Sequence, residues 1–436
     1  MSKKIQTNKK TTGFTFIKKK EGISQHVLNS NGLTVLHKRI PKTGVVTSNI
    51  VYKVGARDEQ TGETGLAHML EHMLFKPTLH DLKSKKKISS AMHFEQHTGC
   101  ILNATTSNDR TNYFFSYPVE HFEVALQIEA ERMMDVVLTD TEFLPERNNV
   151  LSEFDMYNGD PYAALHTQMG CAAFQSHPYG HETIGFREDI ERYTPEKLNR
   201  FYKEYYRPDN ATVIVTGDIS IEQTLTHVKK YFKTLQNPTS LTQRHDIVEP
   251  KQEGVRKVTV AREASTNILA LGVKHKAFPE QSWYETSVLF SVLAEGTESI
   301  LHKKLVDTGL ATCVDTFITP SSEVNLGIIF ITLAPGQTHA TIEKTAREII
   351  KDTDTKSIAS LLKKTIQSTL TDELFSRESS LRIAMDLTEY IAADAWDSYL
   401  QTESILKAIT VKQLVNLRDT LFTEDQMTIG YFVGKK

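Results

Sequence analysis

The sequence has few cysteines: three among 436 residues, Cys100, Cys171 and Cys313. Their number is odd and their spacing is wide, which excludes a disulfide framework and a zinc site built from cysteines. We interpret them as free thiols in a reducing compartment. This favours a cytoplasmic protein, although so few cysteines would also suit a periplasmic or organellar one.

Long apolar runs and a strong excess of one charge are also lacking. No stretch of about 18 apolar residues occurs, so the sequence predicts no membrane-spanning helix. The formal net charge is −3, which gives no reason to expect binding to nucleic acid or to an anionic membrane. The first 20 residues are rich in lysine and threonine, lack arginine and contain no apolar core of a secretory signal. We therefore predict a disordered basic tail over residues 1–22.

The composition, with 39% apolar and 24% charged residues, is that of a globular protein, and the chain is too long for one compact core. A polar segment with two prolines separates two stretches in which strands and helices follow one another in a similar order. This pattern indicates a duplicated α/β unit. We predict an N-terminal domain over residues 23–235, a linker over residues 236–256 and a C-terminal domain over residues 257–436.

The sequence HMLEH at residues 68–72 is the main candidate for a functional site. On a helix, His68 and His72 would lie on one face about one turn apart, which suits two imidazole ligands of one metal ion. Glu71 would project near the same face and could take a proton from a metal-bound water, whose pKa the metal lowers from ~16 toward ~7. The flanking residues are apolar, so the helix is predicted to be mostly buried. A bound metal would then offset the cost of burying these ionisable groups.

A third ligand is expected on a helix predicted over residues 142–157. Glu146 and Glu153 are seven residues apart and would share one face of this helix. One carboxylate could bind the metal, while the other holds it or orients a histidine. Spacing alone does not decide between the two, nor between this arrangement and a solvated acidic face.

Further motifs occur in order through the first half of the chain. They are GLAHMLEHMLFK at 65–76, LNATT at 102–106, TNY at 111–113, ERNNVLSE at 146–153, HPYG at 177–180 and RPDNA at 207–211. With these motifs the chain resembles the pitrilysin-like inverzincin metallopeptidases, most closely their short branch similar to mitochondrial processing peptidase. The resemblance implies an α+β fold of two homologous α/β-roll domains. Each would be a mixed sheet flanked by helices, and together they would form half of a clamshell peptidase chamber.

The resemblance also implies roles for individual residues. Glu153 corresponds to the third zinc ligand beside His68 and His72, and Glu146 to an assisting carboxylate. Glu71 corresponds to the general base that acts on a zinc-bound water. The implied activity is that of a zinc metalloendopeptidase that hydrolyses peptides or small unfolded proteins.

Substrate binding is implied in the same way. Members of the family hold an extended peptide against a sheet edge near the zinc, and Asn103 and Ala104 fall on that edge strand here. Pairing through the backbone of an added strand requires little side-chain specificity.

The second half departs from the family pattern. The family places an arginine and a tyrosine seven residues apart, and both reach the substrate near the scissile bond. Here Leu305 and Thr312 occupy these positions, and neither can donate the same hydrogen bonds to an oxyanion. We predict that the chain is the zinc-bearing subunit of a heterodimer whose homologous, zinc-free partner supplies the arginine and tyrosine, with a homodimer as the alternative. It is also open whether Arg377 or Tyr390 takes this role within the chain.

Two other functions are alternatives to an active peptidase. The first is a non-catalytic structural subunit of a larger complex, as some relatives are, but such subunits usually lose zinc ligands and all are present here. The second is a metal-storage or regulatory zinc module, which does not explain the motif at the substrate edge.

Overall fold

The computed structural model describes residues 12–86, 88–238, 244 and 247–435. Within these residues the strands form two mixed sheets, one of seven strands and one of five. The strands are β1 (Phe14–Lys20), β2 (Ile23–Leu28), β3 (Thr34–Arg39), β4 (Val45–Tyr52), β5 (Ile101–Thr106), β6 (Thr111–Pro118), β7 (Ala211–Gly217), β8 (Arg256–Glu263), β9 (Ile268–His275), β10 (Ala311–Phe317), β11 (Asn325–Leu333) and β12 (Met427–Lys435).

Helices flank both sheets. They are α1 (Leu66–Met73), α2 (Leu79–Lys83), α3 (Ser90–Thr98), α4 (Phe122–Met134), α5 (Asp140–Gly159), α6 (Pro161–Ala173), α7 (Arg187–Ile190), α8 (Pro195–Tyr205), α9 (Ile221–Phe232), α10 (Gln281–Ala294), α11 (His339–Asp352), α12 (Thr355–Ser376), α13 (Ser380–Ala392), α14 (Thr402–Ala408) and α15 (Val411–Leu421). Among the helices in this described part of the chain, none combines the length and the apolar character that a membrane crossing requires.

The two sheets repeat one topology. In the first sheet, β3 and β7 are parallel, and β7, β4, β6 and β5 then follow as antiparallel neighbours. In the second sheet, β8 and β12 are parallel, and β12, β9, β11 and β10 follow in the same way. The duplicated α/β unit predicted from the order of elements is therefore confirmed. The hairpin of β1 and β2 extends the first sheet beyond the repeat.

The two halves exchange one helix each. Helix α13 of the second half lies on β4 and β7 of the first sheet, where Asn49 Nδ2 donates to the carbonyl oxygen of Ala384 at 3.2 Å and to Thr388 Oγ1 at 2.8 Å. Helix α6 of the first half lies on β8 and β12 of the second sheet. At Gly430 on β12, a Cβ atom would come within 2.5 Å of Met169 Sδ on α6, so glycine provides the space for this close approach. Each half thus completes the core of the other.

The prediction of a disordered tail over residues 1–22 is wrong for residues 14–20. These residues form β1, an edge strand that pairs with β2, while residues 1–11 lie outside the described part. Lys18 and Lys20 lie 3.0 Å and 2.5 Å from a carboxylate oxygen of Asp397. The basic run is therefore held by an acidic partner far along the chain, and the first sheet begins before residue 23.

The segment predicted as a linker, residues 236–256, is bound to both halves where the structure describes it, and Gln252 Nε2 donates to the carbonyl oxygen of Met427 on β12 at 2.7 Å. Arg244 pairs with Asp58 at 2.8 Å, and the carboxylate of Glu249 accepts hydrogen bonds from the backbone N–H groups of residues 175–177 at 2.9–3.2 Å. The last residue of the predicted linker, Arg256, already belongs to β8. Residues 239–243, 245 and 246 of the segment lie outside the described residues.

Candidate metal centre

Helix α1 carries both histidines of the HMLEH sequence on one face. It follows Gly65, whose φ of 90° lies in the left-handed region that favours glycine. In place of a neighbouring serine or threonine, the carboxylate of Glu59 accepts hydrogen bonds from the backbone N–H groups of Gly65 at 2.6 Å and Ala67 at 2.8 Å. The Glu59 side chain is fully buried. Burial raises the pKa of Glu59, and the two backbone hydrogen bonds offset only part of this rise. Its oxygens stabilise the first turn of α1 as hydrogen-bond acceptors for N–H groups that have no partner within the helix.

Three donor groups meet where α5 passes α1. Nε2 of His72 lies 3.4 Å from Oε2 of Glu153, and Nε2 of His68 lies 3.7 Å from Oε1 of the same carboxylate. One ligand atom from each residue can be chosen so that all three lie within 4.8 Å of one another. Ligand atoms ~2.0–2.1 Å from a tetrahedral zinc ion are about 3.3–3.4 Å apart, so this donor set fits zinc with small adjustments.

Glu146 contacts the same centre from the far side of His72. Its Oε1 accepts a hydrogen bond from His72 Nδ1 at 2.8 Å, and its Oε2 contacts Lys76 and accepts from Asn149 at 3.2 Å. Burial would raise the pKa of Glu146, but the hydrogen bonds from His72 and Lys76 outweigh it and lower this pKa to about 2. The ionised carboxylate thus holds the Nδ1–H group of His72 and leaves Nε2 facing Glu153.

The two histidines differ in their affinity for protons. Burial, and after it the charge of His72, lowers the pKa of His68. Burial also disfavours protonation of His72, but the hydrogen bonds that Glu146 and Glu153 accept from it more than offset this effect and raise the pKa of His72. His68 is therefore a neutral imidazole at pH 7, whereas His72 has to release a proton when a metal ion binds.

Glu71 lies beside this donor set and makes a different contact. Thr106 Oγ1 donates a short hydrogen bond to Glu71 Oε2. Burial raises the pKa of Glu71, and the Thr106 hydrogen bond together with the charges of His72 and Arg110 offsets only part of this rise. A carboxylate with a raised pKa accepts a proton more readily, which suits acid–base chemistry near neutral pH.

Strand β5 forms one edge of the first sheet and ends at this centre. Its last residue, Thr106, is the one that contacts Glu71. Asn103 is exposed on the strand and Ala104 is buried. Asn103 Oδ1 accepts a hydrogen bond from the backbone N–H of Ala104 at 2.9 Å. This N–H group of the strand is therefore already hydrogen-bonded by a side chain.

The second half contributes no arginine or tyrosine at the positions considered from the sequence. Leu305 is fully buried in the second core, and Thr312 is exposed on β10. Tyr390 is buried with its hydroxyl 2.9 Å from that of Tyr284, and Arg377 lies near acidic side chains of α12 and α14. Among the described residues, no hydrogen bond or ion pair joins Tyr390 or Arg377 to the donor set.

Several supporting side chains were not anticipated. Lys76 and Thr106 lie inside the motifs at 65–76 and 102–106, and this position was the sequence feature that could have identified them as part of the site. Glu59 precedes α1 by a few residues and carries no pattern of its own. Arg110 binds the carbonyl oxygen of Thr105 at 3.0 Å and reaches Glu389 on α13 at 3.1 Å, a contact that depends on the exchanged helix.

Family models match both halves of the chain. The model described as insulinase (peptidase family M16) matches residues 34–186, and the model described as the peptidase M16 inactive domain matches residues 192–377. The zinc protease PqqE of Helicobacter pylori is 30% identical over 421 residues, which cover 93% of this chain and 91% of that protein. The uncharacterized zinc protease YmxG of Bacillus subtilis is 25% identical, and the match covers 91% and 95% of the two chains.

Solved structures show the same architecture. The crystal structure of a protease from Helicobacter pylori superposes with a TM-score of 0.86 at 28% identity and covers 92% of this chain and 97% of that one. The periplasmic protease PqqL from Escherichia coli has the same fold at 17% identity, with a TM-score of 0.76, over 97% of this chain and 48% of that one.

The fold, with two helix-flanked mixed sheets, is that of peptidases whose chains form half of a chamber. The chain belongs to peptidase family M16, the pitrilysin-like family that its motifs resemble.

Proposed function

We propose that the chain is a zinc metalloendopeptidase that hydrolyses peptides or small unfolded proteins at this centre. The proposal is carried by the closely spaced donor atoms of His68, His72 and Glu153, with Glu71 beside them. The names of the two bacterial relatives as zinc proteases support zinc as the metal. A zinc ion held by these three residues would act as a Lewis acid and lower the pKa of water.

Glu71 is the general base in this proposal. Thr106 occupies Oε2 of the carboxylate, which leaves Oε1 to take a proton from the attacking water. The same oxygen later delivers that proton to the nitrogen of the leaving amine. Glu146 acts through His72, because its contact with Nδ1 fixes the orientation of the imidazole ring.

The substrate is proposed to bind along β5 as an added strand. Asn103 would release the backbone N–H of Ala104, and this group would then pair with a carbonyl oxygen of the peptide. Because the strand ends at Thr106, a peptide aligned with it reaches Glu71. Backbone pairing of this kind gives broad sequence specificity, apart from side-chain pockets near the centre.

The test compares zinc content and turnover in two variants. Glu71→Gln keeps the shape of the side chain but cannot take the proton, so we expect full zinc content and a loss of turnover of ~100-fold or more. His72→Ala should lose stoichiometric zinc. Glu378→Gln, at an exposed position in the second half, serves as the matched control. Full zinc retention in His72→Ala, or near-normal turnover in Glu71→Gln, would show that the assignment is wrong.

We also propose that a homologous subunit completes the chamber. Support comes from Leu305 and Thr312, which do not replace the arginine and tyrosine donors of the family pattern, and from the match to only 48% of the Escherichia coli PqqL chain. The purified chain should bind zinc but cleave peptides weakly, and adding the partner should restore activity. For a homodimer, activity should rise with the dimeric fraction measured by size-exclusion chromatography. If the chain alone, as a monomer, turns over at ~1–100 per second, a partner is not needed.

A further inference from the structure

Helix α3 carries a second pair of histidines one turn apart. The sequence HFEQH at residues 93–97 places His93 and His97 four positions apart on this helix, the same spacing that joins His68 and His72 on α1. Both side chains are exposed, and neither belongs to the donor set of the candidate metal centre. The pair is therefore separate from that centre and accessible from solvent.

The two imidazole rings of this pair lie face to face. Their centroids are 3.8 Å apart, and the angle between their planes is 19°. Nitrogen ligands that lie ~2.0–2.1 Å from one metal ion are ~3–4 Å apart, so a small rotation of these exposed side chains brings one nitrogen of each ring into range. Because the backbone of α3 is already ordered, chelation would restrict only the two side chains.

A backbone contact orients one of the two rings for metal binding. His97 Nδ1 lies 2.8 Å from the carbonyl oxygen of His93, which accepts a hydrogen bond when Nδ1 carries the proton. This tautomer leaves Nε2 of His97 with a free lone pair. A backbone carbonyl is a common partner for the nitrogen of a metal-bound histidine that does not contact the metal, because it fixes both the tautomer and the ring orientation.

The charges near the pair are compatible with a bound cation. His97 lies in the last turn of α3, where the helix dipole places partial negative charge. Lys86 Nζ contacts Ser90 Oγ at 2.6 Å in the first turn of the helix, but this ammonium group also lies 3.2 Å from a carboxylate oxygen of Asp81. The lysine charge is therefore balanced by an acidic partner.

We propose that His93 and His97 chelate one divalent transition-metal ion of the class that prefers imidazole, such as Cu²⁺, Ni²⁺ or Zn²⁺. One nitrogen of each ring binds the ion, and water fills its remaining positions. Mg²⁺ and Ca²⁺ prefer oxygen ligands and do not bind here. The bound ion joins two successive turns of α3 and stabilises the helix that leads into the edge strand β5. This site is independent of the peptidase function proposed for the other centre.

The test counts metal ions on the zinc-loaded protein after dialysis against Ni²⁺, which elemental analysis distinguishes from zinc. We expect one Ni²⁺ per chain in addition to the zinc. Its dissociation constant should rise ~10-fold or more in His93→Gln and in His97→Gln, because the second imidazole of a chelate binds at a high effective concentration. The control is His80→Gln, which removes an exposed histidine that has no other histidine one turn away, and it should bind Ni²⁺ as the unmodified protein does.

A variant with the same number of histidines tests the spacing itself. His97→Gln combined with Glu95→His keeps two imidazoles on α3, but the second is now two residues from His93 and faces another side of the helix. This double variant should bind Ni²⁺ as weakly as His97→Gln does. Amide hydrogen exchange provides a second measurement, since Ni²⁺ should slow exchange within α3 in the unmodified protein but not in His97→Gln.

Several results would overturn this metal site. One is that the zinc-loaded protein takes up no Ni²⁺, or takes it up only in exchange for zinc. Another is that His93→Gln and His97→Gln keep the affinity of the unmodified protein, or that the double variant binds Ni²⁺ as tightly as the unmodified protein does. The site is also overturned if bound Ni²⁺ leaves hydrogen exchange within α3 unchanged, because an ion held by both rings would restrain that turn of the helix.

Discussion

Three glutamates of the candidate centre show how one chemical group takes different properties from its surroundings. Burial dominates for Glu71 and raises its pKa, while hydrogen bonds from His72 and Lys76 dominate for Glu146 and lower its pKa to about 2. For Glu153, the hydrogen bond from His72 is the largest influence and also lowers the pKa. A carboxylate with a raised pKa and two with lowered pKa values thus lie within one small volume, and such a difference between neighbouring carboxylates suits acid–base chemistry.

Helical spacing explains which of these residues could be recognised from the sequence. His68 and His72 are one turn apart, so any helix over them places both on one face. The choice between Glu146 and Glu153 stayed open because both share a face of α5. Their distances to the two nitrogens of His72 now distinguish them geometrically. The contact of Thr106 with Glu71 joins residues 35 positions apart through the packing of β5 on α1, and no local pattern encodes it.

Replacing Glu146 by glutamine tests its action through His72. Glutamine keeps the size of the side chain but removes the charge that holds Nδ1–H and balances Lys76. We expect zinc affinity or kcat/KM to fall ~10–100-fold, less than for Glu71→Gln. Chelator competition and steady-state kinetics measure the two effects. Glu142→Gln on the same helix, which has no ion pair among the described residues, is the control. Values within about twofold of the unmodified protein would show that Glu146 does not orient His72.

At the scale of elements, the segment between the halves has a structural role that its composition conceals. Its polarity and its two prolines predicted a linker, because a polar segment without helix or strand pattern usually lies in solvent. The partners of Glu249, however, are backbone N–H groups more than 70 residues away in sequence. Such a contact depends on where the chain that follows α6 lies in the fold, so the sequence pattern of the segment itself carried no sign of it.

The Glu249 contact makes stability depend on pH in a defined direction. Burial would raise the pKa of Glu249, but the three backbone hydrogen bonds and Lys274 lower it to about 2, against an ordinary value of 4.5. A lowered carboxyl pKa stabilises the folded state above about pH 4.5, and this contribution is lost as the pH falls from 4.5 toward 2.

Glu249→Gln should therefore lower the free energy of unfolding by ~1–3 kcal/mol at pH 7. The difference from the unmodified protein should shrink between pH 4.5 and pH 2. Urea denaturation of the metal-free protein across this range measures it. Glu253→Gln, exposed in the same segment, should change little. A difference that is constant with pH would mean that the charge of Glu249 is not the cause.

At the scale of the whole molecule, the repeated topology was predictable and the exchange of helices was not. The order of strands and helices recurs along the chain, so a duplicated unit follows from the sequence. The apolar faces of α6 and α13 show only that each helix packs on something. Which sheet they cover depends on contacts between the two halves, which local periodicity does not report.

Gly430 offers a test of how tightly the halves are joined. A valine there would overlap Met169 and Leu165 of α6, so we expect a loss of ~1–3 kcal/mol in the free energy of unfolding. Met169→Ala combined with Gly430→Val should recover part of the loss, as a coupling of ~0.5–3 kcal/mol in a double-mutant cycle. Gly254→Val, where a Cβ would meet no atom within 4 Å, is the control. Additive effects of the two changes would show that α6 does not pack on β12 in solution.

The exchange of α6 and α13 also suggests how the chain is assembled from its repeats. Both helices occupy the same place in their repeat. Along the chain, α6 lies between β6 and β7, and α13 lies between the equivalent strands β11 and β12. An exchange of equivalent helices is the arrangement that domain swapping produces between two copies of one unit. The two halves are thus better regarded as fused protomers than as consecutive domains. If the chain were cut between residues 239 and 243, each fragment would expose a sheet face that a helix of the other fragment normally covers. We therefore expect the two fragments to fold together, by complementation.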